Sequence, residues 1–190
     1  MKPALALALA LAAICGPAAA AGRLAIDELS ARTAAPLAPQ STAIGPAGVI
    51  AFRYSAFGTN RSIPLSWRRI SGARAYAVIM QDPDAPSPSP FVHWLIWDIP
   101  GGTTTLSEGL PARARLSAPA GALQGQNGAG SIGYHGPHPP PGPAHHYHVQ
   151  VFALDAPAAA APAADINGLL STLRGHVIAK GEIVGAFKAP

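Results

Sequence analysis

The sequence is poor in cysteine, in charged residues and in aromatic rings. Its single cysteine, Cys15, has no partner within the chain, so no internal disulfide can stabilise the fold and a packed core must do so. Thirteen basic and nine acidic residues leave a net charge of +4, and no dense basic tract interleaved with aromatic residues occurs. This distribution argues against nucleic-acid binding, while the basic balance favours small anionic ligands or lipid headgroups.

The common catalytic motifs are missing as well. The sequence has no G-x-S-x-G, H-E-x-x-H or Walker pattern and no zinc-type spacing of cysteines. Residues 128–133, "GAGSIG", match G-x-G-x-x-G, but they follow no predicted strand and lead into a proline-rich loop instead of a helix. The dinucleotide-binding interpretation therefore lacks its structural context. We expect a binding protein without a cofactor rather than an enzyme.

The first 21 residues have the organisation of a secretory signal peptide. Lys2 is followed by an Ala/Leu run through Ile14 and then by small residues suited to cleavage near Ala20 or Ala21. The run is short for a membrane anchor, and the residues before Cys15 make a poor lipidation signal, so a lipoprotein is disfavoured. The predicted organisation is a cleaved leader at 1–21 and a single domain at 22–190, in the periplasm or outside the cell.

The remainder of the chain is predicted to be mostly β. Short runs rich in β-branched and aromatic residues end at Gly or Pro, as strands do, at residues 48–55, 75–81, 91–99 and 146–154. One helix is predicted near the C-terminus, within residues 164–185, where Asp165 can cap apolar residues at helical spacing. The long segment 113–144 between strands is predicted to be either a functional loop or disordered.

The stretch "QDPDAPSPSPFVHWLIWDIP" at residues 81–100 carries two acids and a histidine. Alternation places Asp82 on the apolar face of its strand, and it places His93 on the face of Leu95, Trp97 and Ile99. Pro83 ends the first strand at Asp82, which is predicted to point into a site, whereas Asp84 is predicted to shape the turn. A carboxylate there can orient the His93 imidazole and raise its pKa, although a satisfied core histidine fits the same pattern.

A second cluster of histidines lies between residues 133 and 154. A proline-rich loop at 137–143 cannot join a central strand, and the strand after it places His145 and Tyr147 on the predicted core face. His146 and His148 fall on the opposite face, where they are predicted to be solvated. His145 and Tyr147 are thus expected at the rim of the core that holds His93.

These segments together resemble the phosphatidylethanolamine-binding protein family, which includes Raf kinase inhibitor protein. The resemblance is carried by "GTNRSIPLSW", "DPDAP", "HWLIW", "GPHPPPGPAHHY" and, similar to the family's C-terminal helix, "GHVIAKGEIVG". It implies two antiparallel β-sheets with a C-terminal helix and a small cavity that binds phosphate-like anions and headgroups such as phosphorylethanolamine. The ligand-binding residues that it implies are Asp82, His93, Pro140, His145 and Tyr147.

The sequence departs from the family pattern at three places. His146 replaces a common arginine, His138 stands before "PP" where a small residue is frequent, and no tyrosine precedes His93. In such a cavity the imidazoles and the Tyr147 hydroxyl can donate to phosphate oxygens. Asp82 is predicted to orient an imidazole, and binding is predicted to weaken as pH rises through the histidine pKa.

Several alternatives remain open from the sequence. Asp82, His93 and His145 also suit a two-histidine, one-carboxylate metal site in a metal-dependent hydrolase. A serine of the nearby turn, Ser87 or Ser89, offers a nucleophile without fixed geometry. Relatives also inhibit protease or kinase-like partners through surface loops, and the proline run resembles a PxxP ligand. Membrane contact is expected at most through headgroups, and a homodimer is left open.

Overall fold

A computed structural model describes residues 22–190, so the predicted signal peptide at residues 1–21 lies outside the described part of the chain. The described residues form two antiparallel sheets and two α-helices, which confirms the mostly-β fold class. The elements in chain order are α1 (Ala25–Glu28), a 3-10 turn (Phe52–Tyr54), β1 (Leu65–Ser66), β2 (Ala75–Asp82), β3 (Phe91–Pro100), β4 (Thr105–Leu106), β5 (Leu123–Gln124), β6 (His145–Leu154), α2 (Ile166–Leu173) and β7 (Val177–Phe187). Over residues 22–190, no helix combines the length and apolar character that crossing a membrane requires.

The larger sheet has the strand order β5-β3-β2-β6-β7, and β1 pairs with β4 in the smaller one. The central strand β2 is buried along its whole length, because both faces of the sheet are covered. Its residues Tyr76, Val78 and Met80 belong to a first core, and Ala75, Ala77 and Ile79 belong to a second. Both faces of β2 are therefore apolar, and polar chemistry is confined to the strand ends.

The two cores are closed by different parts of the chain. The small sheet contributes Leu65 and Leu106 to the first core. Helix α2 contributes Leu169, Leu170 and Leu173 to the second core, and it begins where the Asp165 carboxylate accepts a hydrogen bond from the Gly168 amide at 2.8 Å. This capping follows the sequence prediction for Asp165.

The N-terminal segment is held by two buried glutamines of the large sheet. The Gln81 side-chain oxygen accepts hydrogen bonds from the Ala25 amide at 2.9 Å and from the Gln150 side chain at 3.0 Å. The Gln150 oxygen accepts from the Ile26 amide at 2.6 Å. These bonds satisfy amides of α1 that have no partner within the helix.

The predicted helix over residues 175–185 is wrong. The helix ends at Leu173, Gly175 has a φ of 81°, and the chain continues as β7, paired antiparallel with β6. A glycine in the left-handed region is a common helix terminator. The β-branched residues that follow suit a strand, in which Val177 and Ala179 are buried while Ile178 and Lys180 are partly buried.

The predicted strand at residues 48–55 is also wrong. Only isolated bridges occur there, one of them between Val49 and Ala186, and the segment turns into the 3-10 helix. Tyr54 is buried in the first core, and its hydroxyl contacts the side chains of Arg53 and Glu108 at 2.6 Å each. The 3-10 turn therefore directs the Tyr54 side chain into the first core.

Irregular pairing changes the face on which His93 lies. Met80 pairs with Trp94 and Gln81 with Val92, so His93 is an extra residue of β3 at a β-bulge. Its ring meets that of Tyr147, a first-core residue, at a centroid distance of 5.0 Å. The predicted alternation is therefore wrong for Leu95 and Trp97, which face the second core, whereas Ile99 belongs to the first core, on the side of His93.

The loop between β5 and β6 is fixed to the segment around the 3-10 turn. The Gly136 amide donates to the Asn60 side-chain oxygen at 2.7 Å, and the Ala56 amide donates to the Pro137 carbonyl at 3.0 Å. The buried Tyr134 hydroxyl donates to the Tyr54 carbonyl at 2.8 Å. These contacts hold the proline-rich loop over one end of the large sheet.

At Gly136 the loop packs so tightly against the Tyr54 backbone that there is no space for a side chain. A Cβ atom there would lie 2.3 Å from the Tyr54 carbonyl oxygen. We expect Gly136→Ala to lower the free energy of unfolding by about 1–3 kcal/mol, because the two backbones must separate. Urea denaturation measures this change. Gly45→Ala is the control, since its Cβ would meet only ordinary contact distances, and equal stability of both variants would contradict the prediction.

Candidate ligand-binding site

A cavity of about 500 Å³ opens at the end of the large sheet where β2 ends and where β3 and β6 begin. Its lining residues are Phe57, Asp82, Ala85, Pro86, Phe91, His93, His135, His138, Pro139, Pro140, Pro141 and His145. Four of the five residues implied by the family resemblance, Asp82, His93, Pro140 and His145, thus line one cavity. Tyr147 does not line it, although its ring contacts His93.

Asp82 orients an imidazole, but that of His145 and not that of His93. Its Oδ2 lies 2.8 Å from Nδ1 of His145, and both side chains are buried. Its Oδ1 accepts a hydrogen bond from the Asp84 amide at 2.8 Å. One buried carboxylate therefore fixes both the turn after β2 and the ring of His145.

The turn role predicted for Asp84 is thus played by Asp82, which makes the Asx-type bond. The Asp84 carboxylate instead contacts His146, with its Oδ2 2.8 Å from both the backbone amide and Nδ1 of that residue. His148, on the same outer face, lies 3.0 Å from Glu182. His146 is exposed, as predicted, and neither histidine lines the cavity.

His93 is held by the loop between β5 and β6. Its Nδ1 lies 2.7 Å from the His135 carbonyl oxygen, which can only accept, so Nδ1 carries the proton. The rings of Phe91 and His135 lie 4.8 and 5.8 Å away between centroids. Burial lowers the pKa of His93 to about 4. The predicted rise in this pKa is therefore wrong, because Asp82 is engaged elsewhere and the ring is desolvated.

Tyr147 lies in the first core beside His93. Its hydroxyl is buried, and within residues 22–190 no hydrogen-bond partner for it is found. Burial raises the pKa of this phenol, and the carboxylates of Asp82 and Asp84 raise it further. Tyr147 is thus a neutral side chain that packs edge-on against His93, and its predicted contact with a ligand stays a prediction.

The sequence prediction missed several residues of the cavity wall. His135 and His138 belong to the histidine cluster, but no local pattern distinguished them from surface residues. Phe57 comes from the segment after the 3-10 turn, and its ring lies 4.4 Å from that of His138. Since these two residues are 81 positions apart in the sequence, their contact depends on the docking of the proline-rich loop.

The metal-site alternative finds no support in the geometry of the described chain. Over residues 22–190, no three Asp, Glu, His or Cys side chains are grouped so as to hold a metal ion. Asp82, the carboxylate of the predicted set, is engaged by Nδ1 of His145, and Nδ1 of His93 is engaged by a carbonyl. The arrangement is that of two oriented imidazoles in a largely apolar recess.

The low pKa of His93 generates a prediction about stability. In the unfolded chain a histidine titrates near 6.5, so between about pH 6.5 and 4 the unfolded state binds a proton that the folded state does not. Stability therefore falls as pH falls through this range, by roughly 3 kcal/mol from this residue. Glutamine cannot be protonated, so we expect the free energy of unfolding of His93→Gln to fall less between pH 7 and pH 4 than that of the wild type. Urea denaturation at the two pH values measures both changes. Parallel losses in both proteins would count against the assignment.

Comparison with known proteins identifies the family to which this fold belongs. The family model for phosphatidylethanolamine-binding protein matches residues 40–188, which include the whole cavity lining. A UPF0098 protein of Methanothermobacter thermautotrophicus is 40% identical over 142 residues, which cover 74% of this chain and 91% of that protein. A UPF0098 protein of Pyrococcus horikoshii is 37% identical over 150 residues, covering 78% of this chain and 75% of that one.

Two solved structures share the architecture. The putative phosphatidylethanolamine-binding protein homologue of Chlamydia trachomatis superposes with a TM-score of 0.70 at 30% identity, covering 80% of this chain and 97% of that chain. Escherichia coli YbcL, described as a member of the mammalian family, gives a TM-score of 0.72 at 28% identity, covering 82% and 100%. The chain belongs to the phosphatidylethanolamine-binding protein family.

Proposed function

We propose that the protein binds a small phosphate-bearing ligand non-covalently in the cavity at the end of the large sheet. The family name supports a phospholipid headgroup such as phosphorylethanolamine as the ligand class. The observation that carries the proposal is the pair of buried imidazoles, His93 and His145, that line one recess with their Nδ1 atoms already engaged. The predicted signal peptide would deliver this binding activity to the periplasm or the outside of the cell.

The engaged Nδ1 atoms determine what the two rings can offer to a ligand. Nδ1 of His93 donates to a carbonyl and Nδ1 of His145 donates to the Asp82 carboxylate. In a neutral imidazole the other nitrogen, Nε2, is then an acceptor. A phosphate that carries a P–OH group can donate to these nitrogens, whereas a fully ionised phosphate requires the rings to take up protons. Binding is therefore favoured by low pH in either case.

The size and polarity of the cavity point beyond a bare phosphate. A recess of about 500 Å³ has the dimensions of a site for a whole small organic ligand. Much of its wall is apolar, formed by Phe57, Phe91, Pro86 and the prolines at 139–141. An organic substituent on the phosphate can pack there and exclude water from the polar contacts.

Calorimetric titration of phosphorylethanolamine tests this function. We expect the wild type to bind at pH 6 and His93→Gln and His145→Gln each to bind about tenfold more weakly or worse, since each loses one hydrogen bond to a charged group. Titrations in two buffers with different ionisation enthalpies should reveal net proton uptake near neutral pH. His148→Gln is the control, because His148 lies outside the cavity.

Two outcomes would refute the proposed function. One is the absence of wild-type binding to both phosphorylethanolamine and inorganic phosphate. The other is equal affinity in the wild type and both cavity variants, with circular dichroism showing that all three proteins are folded. That second result would place any binding outside the recess between β2, β3 and β6.

A further inference from the structure

The cavity is short of positive charge for a site that holds an anion. Among the described residues that line it there is no lysine and no arginine, although the chain as a whole has a net charge of +4. Its carboxylate, Asp82, is itself negative when ionised. Transferring an anion into an apolar recess is costly unless a charged partner compensates it. Any cationic contact from the lining must therefore come from one of its four histidines.

Three of these four histidines are poorly placed to supply that charge. His93 is buried, and burial lowers its pKa to about 4. His145 is buried with its Nδ1 against the Asp82 carboxylate, and that carboxylate repels an anion brought to the ring. His135 is partly buried, which lowers its pKa, and the charge of the neighbouring His138 lowers it further. All three side chains are buried or half-buried.

His138 differs from the other three because it is exposed at the mouth of the cavity. Its ring packs on Phe57 at a centroid distance of 4.4 Å and lies 6.4 Å from His135. Its neighbours Pro137 and Pro139 restrict the backbone on both sides, and the Pro137 carbonyl accepts from the Ala56 amide. The imidazole is thus held at a defined position in the cavity wall and is accessible to water.

We propose that His138 supplies the cationic contact for the ligand's anionic group and thereby sets the selectivity of the cavity for anions. A phosphate between the mouth and the interior would turn an ionised oxygen to His138 and its P–OH, where present, to the inner Nε2 atoms. The titratable side chains that share the lining are Asp82, His93, His135 and His145. This inference rests on the proposed function and names the residue that determines its charge preference.

Sulfate is the probe that isolates this contact, because its charge does not change between pH 5.5 and 8 and any pH dependence belongs to the protein. We expect the wild type to bind sulfate about tenfold or more tightly at pH 5.5 than at pH 8, as one charged hydrogen bond is lost. His138→Gln should bind weakly at both pH values. His138→Lys, which restores a cation that stays charged, should bind tightly at both. His146→Gln, at an exposed histidine outside the cavity, should behave as the wild type.

The outcomes separate this inference from the function on which it rests. If the wild type binds sulfate and phosphorylethanolamine but His138→Gln keeps the same affinity and pH profile, His138 is not the cationic contact and the proposed function stands. The inference is equally overturned if His138→Lys retains the wild-type pH profile, because the titrating group then lies elsewhere. If the wild type binds neither anion, the proposed function fails and this inference fails with it.

Discussion

Burial of β2 on both faces constrains where this protein can perform any chemistry. A strand whose eight residues are all inaccessible, between one core closed by the small sheet and another closed by α2, leaves no room for a ligand along its length. Only where the strand ends does the double layer open, and there the chain places Asp82. The position of the recess therefore follows from the layered architecture, because it lies at the end of a strand that is buried on both faces.

The chemistry of the recess depends on which ring nitrogen each histidine leaves available. In both His93 and His145, Nδ1 is hydrogen-bonded to an acceptor of the protein, so Nε2 is the nitrogen available to a ligand. Orientation by a carboxylate or a carbonyl also occurs in catalytic and metal-ligating histidines. In this protein it coexists with a lowered pKa at His93, an absence of lysine and arginine from the described lining and an exposed imidazole at the mouth. The proposed binding would therefore depend on the protonation state of both the ligand and the protein.

Hydrophobic periodicity predicted β2, β3, β6 and α2, because each of these elements buries residues at a regular interval. Periodicity gave wrong predictions where the backbone departs from regular helix or strand geometry. At His93 an extra residue in β3 moved the side chain to the other face, and at Gly175 a left-handed backbone turned an expected helix into β7. Asp82, His93, Pro140 and His145, which the family resemblance implied, do line one cavity. The hydrogen-bond partners could not be predicted, since the bulge and the Asx turn decide which imidazole meets the carboxylate, and Phe57 carried no local signal.

The two buried glutamines connect helix α1 to the end of the large sheet that carries the recess. Gln81 immediately precedes Asp82 in the chain, and its amide group accepts from Ala25 while Gln150 accepts from Ile26. The first helical turn is thus anchored one peptide bond away from the carboxylate that orients His145. Truncating that turn would leave the buried Gln150 oxygen without its donor and the Gln81 oxygen with only the Gln150 side chain as donor, next to the end of β2. Helix α1 therefore stabilises the strand end that forms the recess, although it does not line the recess itself.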